Sequence, residues 1–185
     1  MSKDISRYLH QPGKHYSSVR MQQGRVILDS DWNESERLDD EEARRVNLDL
    51  IGGKGTSNEG FQISNVSENG TYNFDIAAGS YFLGGMRFEI DQDETFREQN
   101  DWIHVPYAVE PPPDEPSGLT IPDTAELAND DRYDLVYLEG WEQPVTAVED
   151  GELREVALGG PDTSARMRRM RRVHVATRVG AECCE

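Results

Sequence analysis

At 185 residues the chain has room for one domain, or for one domain led by an arm, and its 36% hydrophobic content is low for a self-contained core. A formal net charge of −17, from 36 acidic against 19 basic residues, argues against a phosphate-binding surface, which needs clustered cations. No apolar run is long enough to span a membrane, no charged-then-apolar leader opens the chain, and the adjacent Cys183 and Cys184 form neither a disulfide framework nor a zinc spacing.

Residues 1–24 read as a polar, aromatic arm with a turn at Pro12-Gly13. Arg25-Val26-Ile27-Leu28 follows as a short strand candidate. Ser30 or Asp31 then reads as a helix cap, because Glu34 lies three residues after Asp31 in capping-box spacing. From Trp32 to about Leu50 the sequence is helix-permissive, with acids early and Arg44 and Arg45 late, an order that complements the helix dipole. Trp32, Ala43, Val46 and Leu50 share one narrow face, with Leu38 to its side, so the helix is expected to pack over part of its length only.

After Gly55 the pattern changes to short β runs separated by turn residues. Residues 61–63 are expected to pair with 71–76 across an Asn69-Gly70 turn, and two apolar runs flank Gly84-Gly85, a hairpin signal. Residues 102–105 form another strand candidate. The stretch 110–131, with three consecutive prolines, is a stiff extended loop that either reaches a neighbouring subunit or simply crosses the surface. A long amphipathic strand over 133–142, a segment at 152–158 and a strand over 168–175 make the last β block.

The order Tyr8 … His15-Tyr16-Ser17-x-Val19-x-Met21-Gln22-Gln23-Gly24-Arg25-Val26-x-Leu28-Asp29-x-Asp31-Trp32-Asn33-Glu34 is dense in large residues and carries no catalytic pattern. It resembles a domain family of phage-tail-like gene clusters, the contractile injection systems and their neighbours. The arrangement Ile76-x-x-Gly79-x-Tyr81-x-x-Gly84-Gly85-x-Arg87-Phe88 is similar to hairpins of phage baseplate and fibre-attachment proteins. The resemblance implies a structural particle component, at the baseplate or a fibre attachment, assembled in the cytoplasm and released, if at all, within a particle. Its partners would be neighbouring copies, a baseplate wedge or a fibre, with three-fold or six-fold homo-oligomeric symmetry. No nucleic acid, membrane span or cofactor is implied.

Other constellations have competing readings. Asp29-x-Asp31-x-Asn33 opens like a calcium loop, yet Glu34 stands where glycine is needed, and hydrogen bonding at a strand-to-helix corner explains the acids better. Gln22, Gln23, Gly24 and Arg25 could clamp a ligand or satisfy the backbone of a neighbouring chain; the assembly contact is favoured. The arginines of 166–172 either touch an acidic neighbour or, as a lesser alternative, nucleic acid, or simply alternate between exposed and buried positions of a strand. The four histidines are scattered, Ser17 and Ser18 have no nucleophile elbow, and Gly159-Gly160 lacks the lysine and helix of a phosphate loop, so an enzyme is not expected.

Only Lys3, Lys14 and Lys54 are lysines, so most cations are arginines. High acid with few lysines is expected of a surface kept hydrated in strong salt, since such a charge opposes compaction unless it is screened. A halophilic source is therefore expected, with an ordinary acidic protein as the alternative.

The expectation is a mainly β, α+β chain. An assembly element (1–54) precedes a β-rich domain (55–185) of antiparallel hairpins in a small sandwich or barrel. Contacts are expected through Tyr8, Tyr16, Val19, Gln22, Gln23, Gly24, Arg25, Asp29, Asp31, Trp32, Asn33 and Glu34. The competing reading is a receptor- or carbohydrate-binding module of a tail fibre, with Tyr81, Trp102 and Trp141 stacking on sugars.

Overall fold

The computed structural model describes residue 6 and residues 11–67, 72–100 and 133–176. The expected 69–70 turn, the 102–105 strand, the 110–131 loop, Tyr8, His10 and the cysteine pair lie outside these residues. Among those described, the chain is mostly β, with antiparallel sheets and a single α-helix. It divides into two compact units, Met1–Gly55 with Phe82–Arg87, and Thr56–Tyr81 with Phe88–Glu185.

In the first unit a short 3-10 turn, Pro12–Lys14, precedes helix α1, Asp29–Ile51. Strand β1 (Lys54–Gly55) pairs with the end of β4 (Gly79–Leu83), which turns through Gly84-Gly85 into β5 (Met86–Ile90). Both turn glycines have positive φ, 59° and 81°, which a two-residue hairpin of this hand requires. Gly85 is also needed for space, because a Cβ there would strike the Arg44 carbonyl oxygen and lie 2.9 Å from Leu48 Cγ. Two bonds tie the helix to this tip: Arg44 Nε donates to Gly84 O at 2.7 Å and Asn47 Nδ2 to Gly85 O at 3.0 Å.

In the second unit β2 (Ile63–Ser67), β3 (Asn73–Ile76) and β6 (Glu94–Thr95) form one sheet. Ile63 faces Ile76, as the expected pairing requires, although the strand starts at Ile63 because Phe61 sits at φ 66° in the preceding turn. β7 (Leu135–Val145) and β8 (Arg166–Ala176) make an eleven-residue antiparallel ribbon. The 152–158 segment folds as two 3-10 turns, Gly151–Leu153 and Val156–Leu158, not as a strand. Asp150 and Glu155 bind amides two residues ahead of themselves, a local bond that competes with extended backbone.

The core of this unit is Tyr72, Phe74, Ile76, Ile90, Phe96, Val173 and Val175. Phe74 stacks on Phe96 at 4.8 Å, and Tyr72 meets both rings edge-on. Two polar groups are built into it. Gln99, buried, behaves as a strand residue: its amide donates to Val173 O at 2.8 Å and accepts from Val173 N at 2.7 Å. Arg171, 8% exposed, grips Glu94 with two bonds of 3.0 and 2.7 Å, donates to Glu89 O and lies over the Phe61 ring. Opposite Arg171, Gly140 leaves room for the Phe88 ring, which any Cβ there would strike.

Candidate assembly surface

The arm is built from local bonds. Pro12, with φ preset for a helical turn, starts the 3-10 turn, and His15 closes it at φ 53° by donating to Pro12 O. The Lys14 ammonium lies 5.8 Å from the centre of the Tyr16 ring. A second turn follows, with Arg25 N donating to Gln22 O at 3.2 Å and Gly24 at φ 73°. A Cβ added at Gly24 would meet nothing within 4 Å, so the backbone angle alone selects glycine there. A depression lined by Gln11, Pro12, Tyr16, Glu34 and Leu38 shows that the arm lies along the helix.

Residues 25–28 are not a strand. They are extended, with Leu28 at φ −104° and ψ 146°, but no sheet among the described residues includes them. A short apolar run that marks a strand also fits an extended segment awaiting a partner, and only tertiary structure separates the two. The helix begins at Asp29, three residues before the expected start at Trp32. Asp31 is thus the third helical residue, and its carboxylate accepts from Leu28 N at 3.4 Å while Leu28 O receives Asp31 N. Asp29, Asp31 and Asn33 lie in helical backbone, which keeps Asp29 and Asn33 on one face and turns Asp31 to the other, so no calcium loop is present.

The helix buries a different stripe from the expected one. Leu38 is its one buried residue among those described, and Glu34, Glu41 and Leu48, at helical spacing from it, are half-buried. Trp32, Val46 and Leu50 are 63%, 44% and 79% exposed, and Ala43 is exposed as well. Trp32 therefore fills no core in this chain. The Gly85 tip, gripped by Arg44, Asn47 and Leu48, sets which side faces inward.

The structure brings the remaining expected contact residues onto this arm and helix start. Gln22, Gln23, Gly24, Arg25 and Asp29 are exposed; Val19, Asp31, Asn33 and Glu34 are half-buried. Among them, Tyr16 (58%) and Trp32 (63%) are large exposed apolar groups. Sequence reasoning passes over their strongest companions. Val26 is 82% exposed, and Met21, Ile27 and Leu28 are more than half exposed. Burying such a side chain is worth roughly 1.5–3 kcal/mol. A run of them left in water stabilises nothing in the single chain and would contribute strongly once covered. The helix beside them carries nine carboxylates against three arginines. Glu41 pairs with Arg44 and Arg45 at 3.7 and 3.5 Å, exposed contacts of small energetic weight.

Residues 1–182 match a protein family described as a family of unknown function, DUF6519. The chain belongs to this family. No curated protein and no solved structure matches it. No helix among the described residues is long and apolar enough to cross a membrane, and no cluster of three metal-binding side chains occurs among them.

Proposed function

We propose that this DUF6519 chain is a structural part of a phage-tail-like contractile injection particle, at a baseplate or fibre-attachment position, acting by subunit assembly and not by catalysis. One observation carries the assembly reading: Val26, Ile27, Leu28 and Trp32 stand exposed in one short stretch that leads into a strongly acidic helix. Large apolar anchors with a polar rim are what protein interfaces use for affinity and register. The kind of particle is supported by the resemblance of the 7–34 motif to domains of phage-tail-like gene clusters. Assembly would take place in the cytoplasm, with neighbouring copies, a wedge protein or a fibre as partners.

The reading is tested by expressing the particle's gene cluster with residues 1–24 deleted, and separately with Val26→Ser and Trp32→Ala together. Both changes are expected to abolish co-purification of the chain with the particle. Full retention of both would overturn the assignment.

One observation favours a receptor- or carbohydrate-binding module instead. Tyr137, 45% exposed, stacks flat on His174 at 5.3 Å and shares a strand face with Trp141. Of the other aromatics expected to bind sugar, Tyr81 is half-buried against Phe61 and Trp102 lies outside the described residues. Weakened glycan binding by Tyr137→Ala, with particle incorporation intact, would favour that module.

A further inference from the structure

Residues 25–28 are extended, and their side chains and backbone together say what covers them. Val26, Ile27 and Leu28 are 82%, 67% and 52% exposed. Successive side chains of an extended segment point to opposite faces, so this run offers apolar groups on both. A continuous apolar run is the pattern of a strand covered from two sides, not of one with a face in water. The segment is also held at each end. Arg25 N closes the preceding turn on Gln22 O, and helix α1 starts directly after Leu28.

Hydrogen bonding separates the backbone groups already used from those that are free. Leu28 N donates to the Asp31 carboxylate, and Leu28 O accepts from Asp31 N and Trp32 N. Among the described residues, the backbones of Val26 and Ile27 make no hydrogen bond. In extended backbone the N–H and C=O of one residue point to the same side, and those of the next residue to the other. Val26 therefore shares the side of Leu28, which the helix start occupies. Ile27 presents both its groups on the opposite side. A purely apolar cover, or a helix whose own amides are already paired, would bury those groups unbonded, at a cost comparable to a lost hydrogen bond each. The edge of a β-sheet supplies apolar side chains together with a matching row of N–H and C=O groups.

We infer that residues 25–28 dock as an added strand on the exposed sheet edge of another protein of the particle. The Ile27 N–H and C=O bond to that edge, and Val26, Ile27 and Leu28 are covered on both faces. This rests on the assembly reading and deepens it by naming the partner's surface. Charge at the segment is mixed, with Arg25 at its start and Asp29 and Asp31 after it, so the backbone and not charge names the occupant. A second copy is disfavoured because two chains of net charge −17 repel. The turn and the helix hold the segment ready, which lowers the ordering cost that a free peptide strand meets on binding.

The experiment expresses the particle's gene cluster with single substitutions in this chain and measures how much of the chain co-purifies with the particle. Proline removes an N–H and requires extended backbone before it, which this segment has. Ile27→Pro is compared with Ile27→Val, and Val26→Pro with the wild type, so each comparison exchanges valine for proline at one position. At position 27 the exchange should lower recovery about tenfold or more, because it removes the bonded donor, and at position 26 the loss should be several times smaller. Equal losses at the two positions, no loss at either, or the larger loss at 26 would overturn strand addition, while recovery of the wild type upholds the broader assembly reading. Absence of the wild-type chain from the particle would overturn both. Circular dichroism of the isolated variants checks their fold. If a proline variant unfolds, hydrogen exchange on the wild-type chain decides. The Ile27 amide should exchange freely in the isolated chain and slowly in the particle, and equal exchange in the two would overturn the inference. Light scattering of the purified wild-type chain is expected to give the mass of a monomer. A multimer that Ile27→Pro dissociates would make the edge that of a second copy and overturn the assignment to another protein.

Discussion

The two units spend their apolar residues in opposite ways. The second unit buries Phe74, Phe88, Phe96 and Ile76 almost completely and pairs its buried arginine and glutamine with named partners. The first buries one helical leucine and leaves Val26, Ile27, Trp32 and Leu50 in water. The second is a core that closes on itself. The first holds its shape through turn bonds and a hairpin tip, with apolar surface to spare. Under the proposed assembly role that surplus is the function, because affinity for another chain requires surface that folding leaves uncovered.

The sharpest way to break the comparison is inside the second unit. Arg171→Met leaves the Glu94 carboxylate, about 10% exposed, without its cation, and should cost about 3–5 kcal/mol in denaturant unfolding. Replacing both residues by methionine should recover much of that loss. Gln99→Ala strips Val173 of two bonds and should cost about 1–3 kcal/mol in the same measurement. In the first unit, Gly85→Ala drives a methyl group into the α1 backbone. A loss of about 1–3 kcal/mol is expected there, read as faster proteolysis of the helix. Trp32→Ala, at an exposed position, should change stability by no more than about 0.5 kcal/mol while removing an association anchor.

The smallest effect is a pH dependence. The Thr146 backbone amide, then its hydroxyl, hold the Glu149 carboxyl below its ordinary range. The folded value is depressed, so the stabilisation is present above the ordinary carboxylate pKa and is lost as pH falls through the folded value. Glu149→Gln should flatten that acid-side decline slightly in a melting series across pH.

Much of the fold is legible in the sequence because its signals are local. Gly84-Gly85 between apolar runs permits little but a tight hairpin, and the period-2 pattern of 133–142 and 168–175 marks the ribbon, observed over Leu135–Val145 and Arg166–Ala176. What the sequence hides depends on tertiary partners. Asp31 looks like a cap because the spacing to Glu34 is right, yet the chain enters the helix at Asp29 and uses Asp31 as its third residue. The stripe through Trp32, Val46 and Leu50 is the more apolar face, but the hairpin tip takes the side of Leu38 and Leu48 instead. Gln99 and Arg171 give no hint of burial, since polar residues enter a core only when the fold supplies their partners. Around the candidate surface, the motif from Tyr16 to Glu34 is visible as a unit. Val26, Ile27 and Leu28 are hidden in it, because an unpaired extended segment and a strand have the same pattern.

The most direct test of the assembly role measures Val26→Ser with Trp32→Ala on two axes at once, thermal unfolding of the isolated chain and recovery in the assembled particle. An unchanged melting temperature together with loss of the chain from the particle is expected. A lowered melting temperature with recovery intact would contradict that role, because those side chains would then serve this chain's own fold and not its neighbours.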